Sequence, residues 1–131
     1  MSEFSASDEA APVRARLEVS RASTCAQIAA LQRDFDGIVE ANALVAVDDE
    51  HDPEGSSTAF ERAHVAALLT LAAEHLEELD RALGRLERGG YGWCEACGER
   101  ISAARLEARP EATACVRCAE AHRRHGHGAG A

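Results

Sequence analysis

Four cysteines constrain this chain more tightly than any other feature. They stand as Cys94, Cys97, Cys115 and Cys118, two Cys-x2-Cys steps separated by seventeen residues. Four soft thiolates at this spacing suit a tetrahedral Zn2+, each close pair forming a knuckle and the intervening chain bringing the pairs together. Gly98 follows the first pair, where a tight turn lets backbone N–H groups face the sulfurs. With all four positions filled no open coordination site remains, so one structural zinc is expected, and iron is the lesser fit. Buried or redox cysteines are the plainer alternative. The metal must also supply much of the local stability, because Trp93, Ile101, Leu106 and Val116 are too few for a sufficient core. Cys25 lies far upstream, one step off a helical seam, and reads as a buried or half-buried thiol. An odd cysteine count, and an amino terminus (MSEFSASDEA) without a basic or apolar leader, favour a reducing cytoplasm over a disulfide framework.

Upstream of the cysteines the pattern is helical. Residues 1–14 are small, polar and broken by Pro12, and read as a flexible N-terminus. From about residue 15, Leu17, Thr24, Ile28, Leu31, Phe35, Ile38, Asn42 and Val45 recur at steps of three, four or seven, with Arg21 filling the place between Leu17 and Thr24. A second series, Val65, Leu69, Ala72, Leu76, Leu79, Leu83 and Leu86, alternates steps of four and three and stops before Gly89 and Gly90. Residues 47–57 lie between them and are expected as a loop. Asp48, Asp49, Glu50, Asp52 and Glu54 crowd it with carboxylates, and Pro53 and Gly55 punctuate it. Thr58 with Glu61 fits a capping box opening the second helix. Gly84 is an unfavourable choice inside that helix.

Two matched stretches of about 30 residues, each roughly 45 Å as helix, predict an elongated antiparallel coiled-coil hairpin spanning 15–88. A homo-oligomeric bundle is the alternative to this monomer. The expected fold is therefore mainly α: a long hairpin, a small four-cysteine zinc finger over 89–124 with a short C-terminal helix, and a flexible tail over 125–131. His122, His125 and His127 near that tail read as solvated, as do His64 and His75 on the second helix. His51 beside the acidic loop lacks the pocket and partner a catalytic base needs.

Charge narrows the function. The chain has 14 basic residues, all arginine, against 23 acidic ones, a formal net charge of -9. That balance opposes nonspecific binding to a nucleic-acid backbone and to an anionic membrane surface. No run of eighteen apolar residues is present, so a membrane span is excluded. The absence of a nucleophile–base pair and of an open metal position speaks against an enzyme.

The segment YGWCEACGERISAARLEARPEATACVRC resembles the zinc-finger signature of the DksA/TraR family of bacterial transcription regulators, in its Tyr-Gly-x-Cys-x2-Cys-Gly, Arg-Leu-Glu-Ala-x-Pro and closing Cys-x2-Cys. With the helical stretches the resemblance covers roughly residues 15–124. It implies a protein that binds the RNA polymerase core without contacting promoter DNA. Its coiled coil would enter the secondary channel, with the tip carboxylates Asp48, Asp49, Glu50, Asp52 and Glu54 near the catalytic magnesium. The family tip reads Asp-Pro-x-Asp-x-Ala. Asp52 and Pro53 match its start, but the second aspartate falls on Gly55 and the alanine on Ser57, so Glu54 or Asp49 would have to substitute. The basic residues for guanosine tetraphosphate have no match here. Two other functions compete: an adaptor using the rod as a spacer, and a GATA-like DNA-binding module. Six Arg against five Glu over 91–131 leave the latter without a phosphate-binding surface once zinc and four thiolates are counted.

Overall fold

A computed structural model describes residues 10–48 and 53–129, with side chains over 10–41, at 43 and over 57–124. Four helices follow in chain order: α1 (Ala10–Asp48), α2 (Pro53–Arg88), α3 (Ala103–Ala108) and α4 (Val116–Ala129). Among the described residues no strand forms, only an isolated antiparallel bridge between Trp93 and Arg100. The architecture is mainly α, with two long helices packed together and four clustered cysteines.

The chain divides into two compact units. The first combines residues up to Arg21 with those from Glu78 onward. Its core is Leu17, Leu79, Ala82, Leu86 and Tyr91, against which Ala10, Val13, Leu83 and Leu106 pack. Ion pairs Arg14–Glu87 at 3.7 Å and Arg21–Asp80 at 2.5 Å show the helix direction. Seven residues up α1 correspond to seven residues down α2, so the helices run antiparallel. Arg21 interrupts the apolar series because it lies outside the seam and meets Asp80 instead. The second unit is Ala22–Glu77. Thr24 and Ala72 are buried in it, and Ile28, Leu31, Phe35, Ile38, Val65, Leu69 and Leu76 are half-buried, as a two-helix seam requires.

Helix boundaries depart from expectation in several places. α1 begins at Ala10, not near residue 15, so the flexible N-terminus cannot extend over 1–14. Pro12 is tolerated because the first-turn N–H groups have no intrahelical partner to lose, and Ala10 and Val13 gain core contact. The loop expected over 47–57 is shorter: α1 continues to Asp48 and α2 already begins at Pro53. Proline suits the first helical position, so Thr58 lies inside α2 and its capping box with Glu61 does not open the helix. The short helix expected to dissolve at residue 125 continues to Ala129. α3 has no signal in the sequence pattern. Six residues are too few to show periodicity, and its start depends on Ser102, whose Oγ accepts the Arg105 N–H at 3.2 Å.

Candidate metal centre

The centre is built from the end of α2. Gly89 has φ +85°, the left-handed conformation glycine adopts without strain. Gly90 N donates to Arg85 O at 2.8 Å and Gly89 N to Leu86 O at 3.4 Å, the paired bonds of a Schellman motif. This closes the helix and turns the chain towards the first cysteine pair. The Arg85 guanidinium, with its side chain only 14% exposed, donates to Gly90 O at 2.7 Å, to Trp93 O, and to a Glu95 carboxylate oxygen at 3.0 Å.

A short hairpin then presents Cys94 and Cys97. Cys94 N donates to Glu99 O at 2.7 Å, Gly98 N to Cys94 O at 2.9 Å, and Ile101 N to Gly92 O at 2.8 Å. Gly98, at φ +79°, makes the tight turn that follows the first cysteine pair. Tyr91 anchors the base: its hydroxyl donates to Pro110 O at 2.8 Å. Burial pushes that hydroxyl above its ordinary pKa, so it remains a neutral donor. The second pair is held across from the first. Glu95 N donates to Thr113 O at 2.8 Å, and Arg105 Nε to Ala114 O at 2.8 Å. Cys115 precedes α4, its carbonyl accepting Ala119 N at 2.9 Å, and Cys118 lies in the first turn.

The four Sγ atoms all lie within 4.8 Å of one another, and Cys97 and Cys115 are 3.9 Å apart. A tetrahedron with zinc–sulfur bonds of about 2.3 Å has edges of about 3.8 Å, so the donor set fits a zinc ion. Cys94 is 3% exposed, whereas Cys97 is exposed. Burial raises the Cys94 pKa, but backbone N–H groups of Cys115, Cys97 and Ala96 outweigh it and hold the thiol at about 6. A backbone bond from Cys118 lowers Cys115. Cys118 is pushed up to about 12 by hydrogen bonding with Cys115, Cys94 and Cys97, since four thiolates without a cation would repel one another. Such a cluster is made for a divalent ion.

The remaining sequence candidates divide. Asp49, Glu50, His51 and Asp52 lie outside the described residues, while Asp48 ends α1 and Glu54 is the second residue of α2. Cys25 is half-buried, as expected. Trp93 and Val116 are partly exposed, at 38% and 48%, whereas Ile101 is buried and Leu106 packs against the core formed with Leu17, Leu79 and Tyr91. Sequence reasoning missed Arg85, Arg105 and Tyr91 as the residues that brace the cysteine loops. Each bonds a backbone carbonyl at least five residues away, and no local pattern announces that.

Residues 89–124 match the sequence profile of the prokaryotic dksA/traR C4-type zinc finger. The RNA polymerase-binding transcription factor DksA of Caulobacter vibrioides is 53% identical over 49 residues, 37% of this chain and 34% of that protein. The protein of the same name from Escherichia coli is 40% identical over 43 residues, 33% of this chain and 28% of the relative. The solved structure of transcription factor DksA2 from Pseudomonas aeruginosa superposes with a TM-score of 0.72 at 27% identity, covering 95% of this chain and 90% of that one. Residues 89–124 are thus similar to the C4-type zinc finger of the DksA/TraR family, and the fold over nearly the whole chain is similar to that of DksA2. The sequence matches to DksA proteins span about a third of those relatives' length, whereas the likeness to DksA2 extends over both long helices. The family profile itself covers only the four-cysteine module.

Proposed function

We propose that this protein binds the RNA polymerase core and regulates transcription, without catalysing a reaction and without reading a promoter. The observation that carries this reading is the combination of a zinc module like those of proteins named RNA polymerase-binding factors with a DksA2-like fold across nearly the whole chain. In it, Cys94, Cys97, Cys115 and Cys118 hold one structural zinc, which when bound cross-links the two knuckles and neutralises part of the thiolate charge. The paired helices enter the secondary channel as a monomer. Asp48, Asp49, Glu50, Asp52 and Glu54 approach the catalytic magnesium, where carboxylates act on a metal's field most strongly. Asp52 takes the tip-aspartate place, with Glu54 or Asp49 supplying a second carboxylate. The net charge of -9 supports a protein partner over a nucleic-acid backbone.

The test is competition binding of the zinc-loaded protein to core polymerase, run beside a gel-shift assay with promoter DNA alone. Saturable binding to core and no shift of DNA are expected. Failure to bind core would reject the proposal, and a sequence-specific shift without polymerase would favour the GATA-like alternative.

A further inference from the structure

The first knuckle is gripped from outside by a residue that is no ligand. Arg85 stands in the last turn of α2, nine residues before Cys94, yet its guanidinium bonds to residues on both sides of that cysteine: the Trp93 carbonyl and the Glu95 carboxylate. The Trp93–Cys94 peptide is therefore held at both ends, its carbonyl by Arg85 and its N–H by Glu99 O at 2.7 Å. The Glu95 N–H, in turn, ties the same stretch to Thr113 O, two residues before Cys115. A third bond runs from Arg85 to Gly90 O, and the Arg85 carbonyl accepts the Gly90 N–H, so the same residue closes the helix. A peptide plane pinned at both ends sets the direction of the next Cα–Cβ bond, and Cys94 is the most buried of the four ligands.

We propose that Arg85 is a positioning residue for the metal: by clamping the two neighbours of Cys94 it orients that thiolate, and it couples zinc retention to the closure of α2. The coupling is reciprocal, since whatever the closed helix end adds to zinc binding, bound zinc adds to the closed helix end. The inference concerns metal retention and stands whether or not the protein binds polymerase.

Zinc-loaded full-length protein is compared as wild type, R85Q, R85K, E95Q, R85Q/E95Q and R88Q, the last removing a guanidinium from the same helical turn. Zinc transfer to a chromogenic chelator gives affinity and release rate, the cobalt-substituted protein gives the d–d spectrum, and hydrogen exchange follows the Gly90 and Cys94 amides. R85Q should weaken zinc retention about 10-fold to 100-fold, the range for groups that orient metal ligands from outside. R85K and E95Q should fall between R85Q and wild type, the double variant should be no worse than R85Q, and R88Q should match wild type. The cobalt bands should shift in R85Q, which a loss of general stability would not produce. Zinc removal from wild type should raise exchange at Gly90. If R85Q does not fold, R85K and E95Q carry the test. Wild-type retention and an unchanged cobalt spectrum in R85K and E95Q, or an equal loss in R88Q, would overturn the proposal.

Discussion

Tyr91 shows how much a small module asks of one side chain. It is 4% exposed, belongs to the core beneath the helices, and spends its hydroxyl on Pro110 O. Tyr91→Phe keeps the ring and leaves a part-buried carbonyl short of a donor, a loss of about 1 kcal/mol. Chemical denaturation of the zinc-loaded protein should read that as a lower midpoint at unchanged slope. At the cysteines the governing quantity is protonation. Thiolates are the ligands, so zinc loading must displace thiol protons. Adding zinc to metal-free protein in weak buffer should acidify the solution. Apparent zinc affinity should fall as pH is lowered, because protons then compete for the same sulfurs. A pH-independent affinity between pH 6 and 8 would contradict four-thiolate ligation.

Along the helices, burial decides which residues matter. Leu79 is fully buried whereas Leu71, on the same helix, is 61% exposed. Leu79→Ala should cost about 3 kcal/mol through lost transfer energy and the cavity left behind, while Leu71→Ala should stay within about 0.5 kcal/mol. Thermal unfolding of the two variants checks the contrast. Gly84 offers the opposite change. A Cβ added there would meet only the guanidinium end of Arg88, at 3.2 Å, and that flexible group can swing aside. Gly84→Ala should therefore stabilise the protein by about 0.5 to 1 kcal/mol, through helix propensity and a less disordered unfolded chain. The Arg21–Asp80 pair, by contrast, is close to half exposed on both sides and adds little beyond marking the register.

For the molecule as a whole, the proposed division of labour places polymerase affinity on an extended surface and regulatory effect on the acidic turn. Asp52→Asn removes one charge while keeping size and hydrogen-bonding capacity. Affinity for core polymerase should change by less than about threefold, because one tip contact is a small part of a large interface. The transcriptional effect should weaken, since the carboxylate no longer shapes the field near magnesium. Binding and promoter transcription are to be measured side by side on wild type, D52N and a variant neutralised at Asp48, Asp49, Glu50, Asp52 and Glu54. Parallel loss of binding and activity would contradict the division, and full activity in the five-site variant would remove the turn from the mechanism.

Periodicity and spacing carried the broad outline. The apolar steps from Leu17 and from Val65 predict two helices, and the seam residues from Leu17 to Ile38 and from Val65 to Leu86 are buried or half-buried, because a 3.6-residue repeat has one way to hide one face. The side chains of Asn42 and Val45 lie outside the described residues. The paired Cys-x2-Cys steps predicted the sulfur cluster, and Gly89 and Gly98 stand at the positive-φ turns that glycine permits at least strain. Boundaries were another matter. Pro12 and Pro53 read as breaks in the sequence, yet each sits in a first helical turn, where a missing N–H loses nothing. Whether a chain stops at such a proline or starts there depends on what the flanking residues can pack against, as Ala10 and Val13 do. The bracing of the metal centre was equally invisible. Arg85, Arg105 and Tyr91 hold carbonyls brought near by the turn at Gly89–Gly90 and by the fold of 100–115. A guanidinium or hydroxyl has no partner written into its own neighbourhood of sequence; only the folded backbone decides which carbonyl it meets.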